Sequence, residues 1–267
     1  MCSTCGCDQH DGGVTITRAG EEHLAFTPFN APLMHQHGPD DQSRVIELEQ
    51  DILSKNDRQA NHNRDHFREQ HILALNLVSS PGSGKTALLE RTLSDLKEKY
   101  PFYVIEGDQQ TMNDANRIAA TGVAAVQINT GKGCHLDADM IHRAIHKLAP
   151  ADNSILFIEN VGNLVCPALF DLGEALRITI ISVTEGDDKP LKYPDMFASS
   201  QLCIINKIDL LPYVNFKTEA AKEYARRVNP RIQFIELSAT AGIRMKEWYQ
   251  WLEGQRIANG AKEAVIA

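Results

Sequence analysis

The sequence predicts an α/β fold: a mostly parallel seven-stranded sheet with flanking helices, preceded by a flexible N-terminal tail. Three observations carry this. Short apolar runs alternate with helical patterns from His71 onward; most of the runs are apolar at successive residues rather than at every second one, as in strands covered on both faces; and a glycine-rich turn joins the first run to the first helix after it. The runs are ILALNLV at 72–78, FYVI at 102–105, AAVQI at 124–128, ILFI at 155–158, ITIISV at 178–183, LCII at 202–205 and IQFIEL at 232–237. Between them, Lys85 to Lys99, Met112 to Ala120, Asp137 to Leu148, Thr218 to Val228 and Arg244 to Gln255 carry helical periodicity. Ahead of the first run, Ser43 offers an N-cap to a stretch in which Val45, Leu48 and Ile52 share a face. The very polar KNDRQANHNRDHFREQ follows, and only the first half of this region reads as able to pack. The spacing sets out a Cys motif at 1–7, a flexible linker at 8–42 without apolar period, a folded domain at 43–258 and a tail at 259–267.

Composition narrows the function. The chain has 267 residues, 43% of them hydrophobic, enough to bury a core without staples. Its 27 Lys and Arg against 35 Asp and Glu give a charge of -8, which argues against a nucleic-acid partner. No apolar run approaches the roughly 18 residues of a membrane span, and the start, MCSTCGCDQHDGG, lacks the basic and apolar parts of a signal peptide. These features lead to the expectation of a cytoplasmic protein, whose thiols would be reduced, metal-binding or buried rather than paired.

The glycine-rich turn is Ser79-Ser80-Pro81-Gly82-Ser83-Gly84-Lys85-Thr86, between a strand and a helix, which is the context of a P-loop. Gly82, Ser83 and Gly84 would bring backbone N–H groups to phosphate oxygens, Lys85 would reach the terminal phosphates, and the Thr86 hydroxyl would bind Mg²⁺. Ser79 stands where the usual pattern has its first Gly. Asn206-Lys207-Ile208-Asp209 closes a later strand. A carboxylate at Asp209 can accept from both N1–H and N2–H of guanine, which adenine cannot offer, so GTP and GDP are the expected ligands. Lys207 would lay its stem over the ring, and Ser238-Ala239-Thr240 would supply a backbone N–H to the base oxygen. Asp108 and Glu159, both at strand ends, are candidates for the Mg²⁺ shell or for placing the attacking water, and Gly162 for donating its N–H to the γ-phosphate.

Two further sets bear soft ligands. Cys2, Cys5 and Cys7 place three thiols within six residues. With Met1 removed, the α-amine of Cys2 would complete a set suited to square-planar Ni²⁺ or tetrahedral Zn²⁺. Cys134, His135 and Cys166 form another N/S set, though the sequence does not bring them together and a lone Cys or His is more often a core residue than a ligand. Cys203, inside a strand, is a core residue.

Taken together, CxxCGC, SSPGSGKT, EGDQQT, NTGKGCHLDA, ILFIENVGNLVCP, SVTEGDDKPLKYP and NKIDLLPY resemble, over nearly the whole chain, the HypB nickel-insertion GTPases of [NiFe]-hydrogenase maturation, relatives of the urease accessory GTPase. The resemblance implies GTP hydrolysis, for which Lys85, Asp108 and Glu159, read above from the loop and the strand ends, are the candidate catalytic groups; it further implies a nickel site on Cys2, Cys5 and Cys7; a nickel or zinc site on Cys134, His135 and Cys166 near a subunit interface; and a homodimer favoured by GTP, with Leu210 and Val214 in its interface. It implies as partners a nickel-binding accessory protein and the hydrogenase large subunit. A long His-rich nickel store is not expected, since only His35 and His37 stand close in the linker. The competing readings are nickel delivery to urease, against which the CxxCGC start speaks, and a metal buffer with a vestigial GTPase domain, against which Lys85, Thr86 and Asp209 speak.

Overall fold

The structure, a computed structural model, describes residues 15–18, 40–108, 113–131 and 133–260. Its sheet has eight strands in the order β1-β4-β3-β5-β2-β6-β7-β8: β1 (Thr15–Arg18), β2 (Leu73–Ser79), β3 (Phe102–Asp108), β4 (Ala124–Asn129), β5 (Ile155–Glu159), β6 (Leu176–Ser182), β7 (Leu202–Asn206) and β8 (Gln233–Glu236). The seven expected strands are all present and pair in parallel. The eighth, β1, was not expected. It lies in the segment read as linker and pairs antiparallel with β4, Thr15 opposite Asn129. Four residues with one apolar side chain carry no period to read, and β1 is held instead by its ladder and by Lys147 Nζ, which donates to the Ile16 carbonyl at 2.9 Å.

Alternate residues of the central strands feed two cores. Leu75, Leu77 and Phe157 pack on one face with Leu88, Ile118 and Trp248, from α2 (Lys85–Leu96), α3 (Asn113–Ala120) and α8 (Met245–Ala258). Ala74, Leu156 and Ile158 pack on the other with Phe67, Ile141 and Ile145, from α1 (Asp40–Glu69) and α4 (Ala138–Leu148). A third cluster beneath β6 and β7 joins Phe197, Cys203, Ile205 and Ala225, under α5 (Lys189–Lys192), α6 (Pro194–Ala198) and α7 (Thr218–Val228). Cys203 is the core residue its pattern predicts, and burial pushes its thiol pKa up.

The polar half of α1 corrects a sequence expectation, because it does pack. Ala60 and Phe67 are buried, and two amides do the rest. Asn56 donates to the Asp171 carbonyl at 2.8 Å and accepts from the Ala138 N–H at 2.9 Å. Asn63 donates to the carbonyls of Ala138 and Leu172 at 2.8 and 3.1 Å. Gly173, at φ +88°, lets its loop approach this helix so closely that a β-carbon there would stand 2.5 Å from the Ala60 carbonyl oxygen. The first turns of α1 thus continue into a segment clamped across the amino end of α4.

With seven strands parallel, their carboxyl ends lie along one edge, where open α/β sheets bind ligands. Ser79, Asp108, Glu159 and Asn206 end β2, β3, β5 and β7 on that edge.

Candidate functional site

A cleft of about 560 Å³ opens on this edge, and its wall includes Gly82, Lys85, Thr86, Asp108, Glu159 and Cys134. The glycine-rich loop turns there because Gly82 and Gly84 take φ of +76° and +96°, a region open to glycine. A β-carbon on Gly84 would stand 2.5 Å from Asn206 Nδ2, so the loop is also held by contact. Ser79 has no positive φ. Its hydroxyl donates to the Ser80 carbonyl at 2.7 Å and accepts from Lys85 Nζ at 2.9 Å, so the departure from glycine costs no backbone strain. Thr86 Oγ1 donates to Glu159 Oε1 at 2.8 Å. Ser80 receives Lys189 Nζ at 2.5 Å.

The base-side turn is tied to the same loop. Asn206 Nδ2 donates to the Ser83 carbonyl at 2.9 Å, while its Oδ1 accepts from the N–H of Lys207 at 2.8 Å and of Ala239 at 3.2 Å. Lys207, at φ +63°, donates through Nζ to the Gly82 carbonyl at 2.7 Å. Asn206 is therefore a brace joining the loop, its own turn and the Ser238-Ala239 turn. The Ala239 N–H is turned onto Asn206 rather than left open, and the Ser238 hydroxyl accepts from the Ala241 N–H at 3.2 Å. Asp209 is the second residue of the 3-10 turn Ile208–Tyr213 and is exposed.

The fold gathers Cys134, His135 and Cys166 into one cluster, their ligand atoms all within 4.8 Å of one another. The two sulfurs stand 2.8 Å apart, and Cys134 Sγ is 3.7 Å from His135 Nδ1. The cysteines come from different loops. Cys134 ends the turn after β4, where the Gly133 N–H donates to the Thr130 carbonyl at 2.9 Å and the Thr130 hydroxyl to the Gly133 carbonyl at 2.7 Å. Cys166 opens the 3-10 turn Cys166–Ala168. Burial holds the His135 imidazole below its ordinary pKa, against the opposing pull of Asp137, and so favours the neutral, ligating form. Its ring stacks on Phe170 with centroids 3.9 Å apart.

Residues that the sequence reading did not single out connect these parts. Asn160 Oδ1 accepts from the Val161 and Leu136 N–H groups at 2.9 and 3.4 Å, linking the loop after β5 to the one after β4. Asn163 Nδ2 donates to the Cys134 carbonyl at 3.4 Å. Arg177, 6% exposed, donates to the carbonyls of Ala168 and Phe170 at 3.0 and 2.8 Å and pairs with the buried Glu174 at 2.9 Å. Arg117 borders the cleft and makes a two-pronged ion pair with Glu90, at 3.0 and 2.5 Å. The asparagines were visible in the run ENVGNLVCP but carried no pattern of their own, and nothing in the sequence pairs Arg177 with that loop. Gly162 lies on the cleft wall against Pro81, where a β-carbon would stand 3.3 Å from the Pro81 Cα. Leu210 and Val214 are partly buried against the third core cluster, while Tyr213 between them is exposed. Cys2, Cys5 and Cys7 lie outside the described residues. Among the described residues no helix is long and apolar enough to cross a membrane.

Comparison with known proteins gives the same reading. Residues 73–236 match the family described as CobW/HypB/UreG, nucleotide-binding domain. The hydrogenase maturation factor HypB of Escherichia coli (strain K12) is 50% identical over 290 aligned positions, spanning 97% of this chain and all of that one. The HypB of Rhizobium leguminosarum bv. viciae is 61% identical over 212, covering 79% of this chain and 71% of its own length. The crystal structure of HypB from Helicobacter pylori in complex with nickel superposes with a TM-score of 0.72 at 40% identity, over 78% of this chain and 98% of that one. With the glycine-rich loop, the NKxD turn and a 50% identity along 97% of its length, the chain belongs to the CobW/HypB/UreG family and, within it, to the HypB hydrogenase maturation factors.

Proposed function

We propose that this protein is a GTP-hydrolysing metallochaperone of the cytoplasm that binds nickel and assists its insertion into the large subunit of [NiFe]-hydrogenase, with hydrolysis timing the release. The observation that carries the reading is that one cleft is walled both by Lys85 and Thr86 and by Cys134. Phosphate chemistry and soft-metal binding thereby share a surface.

In this reading the backbone N–H groups of Gly82, Ser83 and Gly84 and the amino end of α2 cradle the phosphates. Lys85 leaves Ser79 for the terminal phosphates, Lys207 covers the base and Asp209 reads guanine. Hard oxygen donors suit Mg²⁺. Thr86 Oγ1 and Glu159 Oε1 lie 2.8 Å apart with Asp108 on the same cleft wall, a set that fits the ion. When bound, Mg²⁺ would neutralise charge on the phosphates. Asp108 and Glu159 otherwise serve to place the attacking water, and turnover is slow.

Nickel is the cargo. Two thiolates and a neutral imidazole at Cys134, His135 and Cys166 suit Ni²⁺ or Zn²⁺, and Cys2, Cys5 and Cys7 with the Cys2 amine form the second station. Val165 and Leu169, 53% and 56% exposed, put apolar surface on either side of Cys166. That supports a homodimer closing near this metal set, with Leu210 and Val214 contributing, favoured by GTP. A nickel-binding accessory protein and the hydrogenase large subunit are the proposed partners.

The nucleotide would be read at the metal through the loop after β5. Gly162 packs against Pro81 of the phosphate loop, and Cys166 follows four residues on. If the Gly162 N–H donates to the γ-phosphate, loss of that phosphate frees the loop, and a shift of about 1–2 Å exceeds the ~0.2 Å tolerance of a metal bond. Coupling is reciprocal, so metal on this set changes nucleotide affinity or dimerisation by the same free energy. The test is a nickel titration of the protein with and without residues 1–7, each with GDP and with a non-hydrolysable GTP analogue. Affinity at the Cys134 set is expected to differ between the two states and to fall in Cys166→Ala. Equal affinities in both states would overturn the coupling, and an unchanged affinity in Cys166→Ala would overturn the ligand.

A further inference from the structure

The motif SVTEGDDKPLKYP touches the site described above at a single point. It runs from Ser182, the last residue of β6, through α5. β6 lies beside β2 in the sheet, with Ile180 opposite Ser79, so the turn that leaves the end of β6 stands against the phosphate loop that leaves the end of β2. The Val183 N–H donates to the Asn206 carbonyl at 3.1 Å, which fixes the start of this turn beside the brace already described. From its far end Lys189 reaches back to the Ser80 hydroxyl at 2.5 Å.

We propose that Lys189 is a positioning residue for the nucleotide, holding the amino half of the phosphate loop, through Ser80, in the shape that receives the phosphates. The inference rests on the nucleotide reading above. A loop that cradles phosphate turns its N–H groups inward, which leaves its oxygens to be held from outside. Lys85 Nζ donates to Ser79 Oγ at 2.9 Å, Lys207 Nζ to the Gly82 carbonyl at 2.7 Å and Asn206 Nδ2 to the Ser83 carbonyl at 2.9 Å. Those bonds pass over Ser80, and Lys189 takes it. When Lys85 leaves Ser79 for the phosphates, Lys189 is the cation that still holds this half. The Ser80 carbonyl accepts from the Ser83 N–H at 3.4 Å, so a shift at Ser80 is felt across the loop.

The surroundings aim the ammonium. It pairs with Glu185 at 2.7 Å, the two side chains only 17% and 14% exposed, and it stands 5.3 Å from the centroid of the Tyr193 ring, within cation–π range. Glu185 is fixed in its turn, since its Oε1 accepts from the Ser182 N–H at 3.0 Å. The other carboxylates of the turn are engaged elsewhere, Asp188 with Lys192 at 2.8 Å and Asp187 with the Lys217 N–H at 3.3 Å. A carboxylate and a ring thus set the direction of a charge-assisted bond to Ser80.

The placement separates the two lysines by what they do. A loop organised before its ligand arrives binds more tightly, because less ordering falls on the binding step. Once nucleotide saturates the loop, the same shape is reached with or without Lys189. Its loss therefore falls on Kd and KM and spares kcat. Loss of Lys85, which in the reading above serves the charge of the transferring phosphate, falls on kcat.

The test measures affinity for GDP and for a non-hydrolysable GTP analogue, together with GTP turnover, in the full-length wild type, Lys189→Met, Ser80→Ala and the double variant. Methionine keeps an apolar stem over Tyr193 and removes the charge. Lys189→Met is expected to weaken both nucleotides by about tenfold, the low end of what one hydrogen bond to a charged group contributes. KM for GTP should rise alike, with kcat at saturation kept. Ser80→Ala, which leaves the Lys189–Glu185 pair standing, is expected to weaken both similarly, and Lys189→Met added to it to weaken them little further. Lys189→Arg, which can still donate, should recover most of the affinity. A wild type that binds neither nucleotide would overturn the nucleotide reading and this inference with it. With the wild type binding both, wild-type affinity in either single variant, or effects of the two changes that add in full, would overturn the inference alone. A fall in kcat at unchanged KM in Lys189→Met would overturn positioning as the role.

Discussion

The two ends of the cleft are built in different ways. At the nucleotide end, one unbroken segment from Ser79 to Thr86 forms the glycine-rich loop, and Asn206 braces it from a single turn. At the metal end, nothing is contiguous. Cys134 follows β4 and Cys166 follows β5, and β3 lies between those strands in the sheet. Strands are ~4.8 Å apart, so the loops must lean over the end of β3, above Asp108, to bring two sulfurs within 2.8 Å. That lean is held from below by Arg177 and from the side by Asn160 and Asn163. The nucleotide end is therefore local and self-supporting, whereas the metal end depends on buried groups remote in sequence.

The largest effect should come from breaking that remote support. Arg177→Met leaves Glu174 buried without its cation, and the Ala168 and Phe170 carbonyls without a donor. Removing one partner of a buried pair costs about 3–5 kcal/mol, which for a domain of this size lowers Tm by roughly 6–20 °C. Residual folded protein should bind nickel more weakly at Cys134, His135 and Cys166, because Phe170 carries the His135 ring. A thermal melt that matches the wild type, with nickel affinity also intact, would show that the metal end does not lean on this network.

Lys85→Ala sharpens the contrast from the other end. In the proposed function its ammonium serves developing phosphate charge, so hydrolysis is expected to fall by about 10²–10³-fold, the scale of losing one preorganised charge-stabilising donor. Nickel binding to the cysteine set should persist, as the Lys85 ammonium is held on the Ser79 hydroxyl and is not one of the Cys134, His135 and Cys166 ligand groups. GTP turnover at the wild-type rate would remove Lys85 from the chemistry.

The same division explains what could be read in advance. Apolar runs of four to seven residues gave away all seven parallel strands, and the phosphate loop and NKxD turn were legible because each is contiguous. β1 and the second half of α1 were not, since their places are set by a ladder and by amide bonds from Asn56 and Asn63, which leave no hydrophobic period. Cys134, His135 and Cys166 were recognisable as ligand types, but their meeting follows from strand order, which a resemblance could imply and the residues alone could not.

At the base, Asp209→Asn should cost GTP about 1–3 kcal/mol, roughly 5- to 150-fold in affinity, because an amide oxygen satisfies only one of the two guanine donors. Xanthosine triphosphate, with an acceptor in place of the amino group, should bind better than to the wild type. Affinities for both nucleotides that do not move would take the base away from Asp209. Metal binding should be indifferent to this change, as Asp209 lies on the turn after β7 while Cys134 and Cys166 follow β4 and β5.

The smallest effect falls on the link between the two ends. Asn163 sits next to Gly162, and its Nδ2 reaches the Cys134 carbonyl at 3.4 Å, while its Oδ1 accepts from the Val165 N–H at 2.9 Å, just ahead of Cys166. One side chain thus touches the backbone on both sides of the sulfur pair. The first bond is long and the site open to water, so Asn163→Ala should cost only about 0.5–1 kcal/mol of stability. Its value as a probe lies elsewhere. If the loop after β5 carries the nucleotide state to the metal, loosening this tether should shrink the difference in nickel affinity between the GDP and GTP-analogue states more than it changes either nucleotide's own binding. Matched nickel and nucleotide titrations of the variant measure both quantities. An undiminished difference between the two states would mean that the signal reaches the sulfurs by another route, through Asn160 and Leu136 rather than through Asn163.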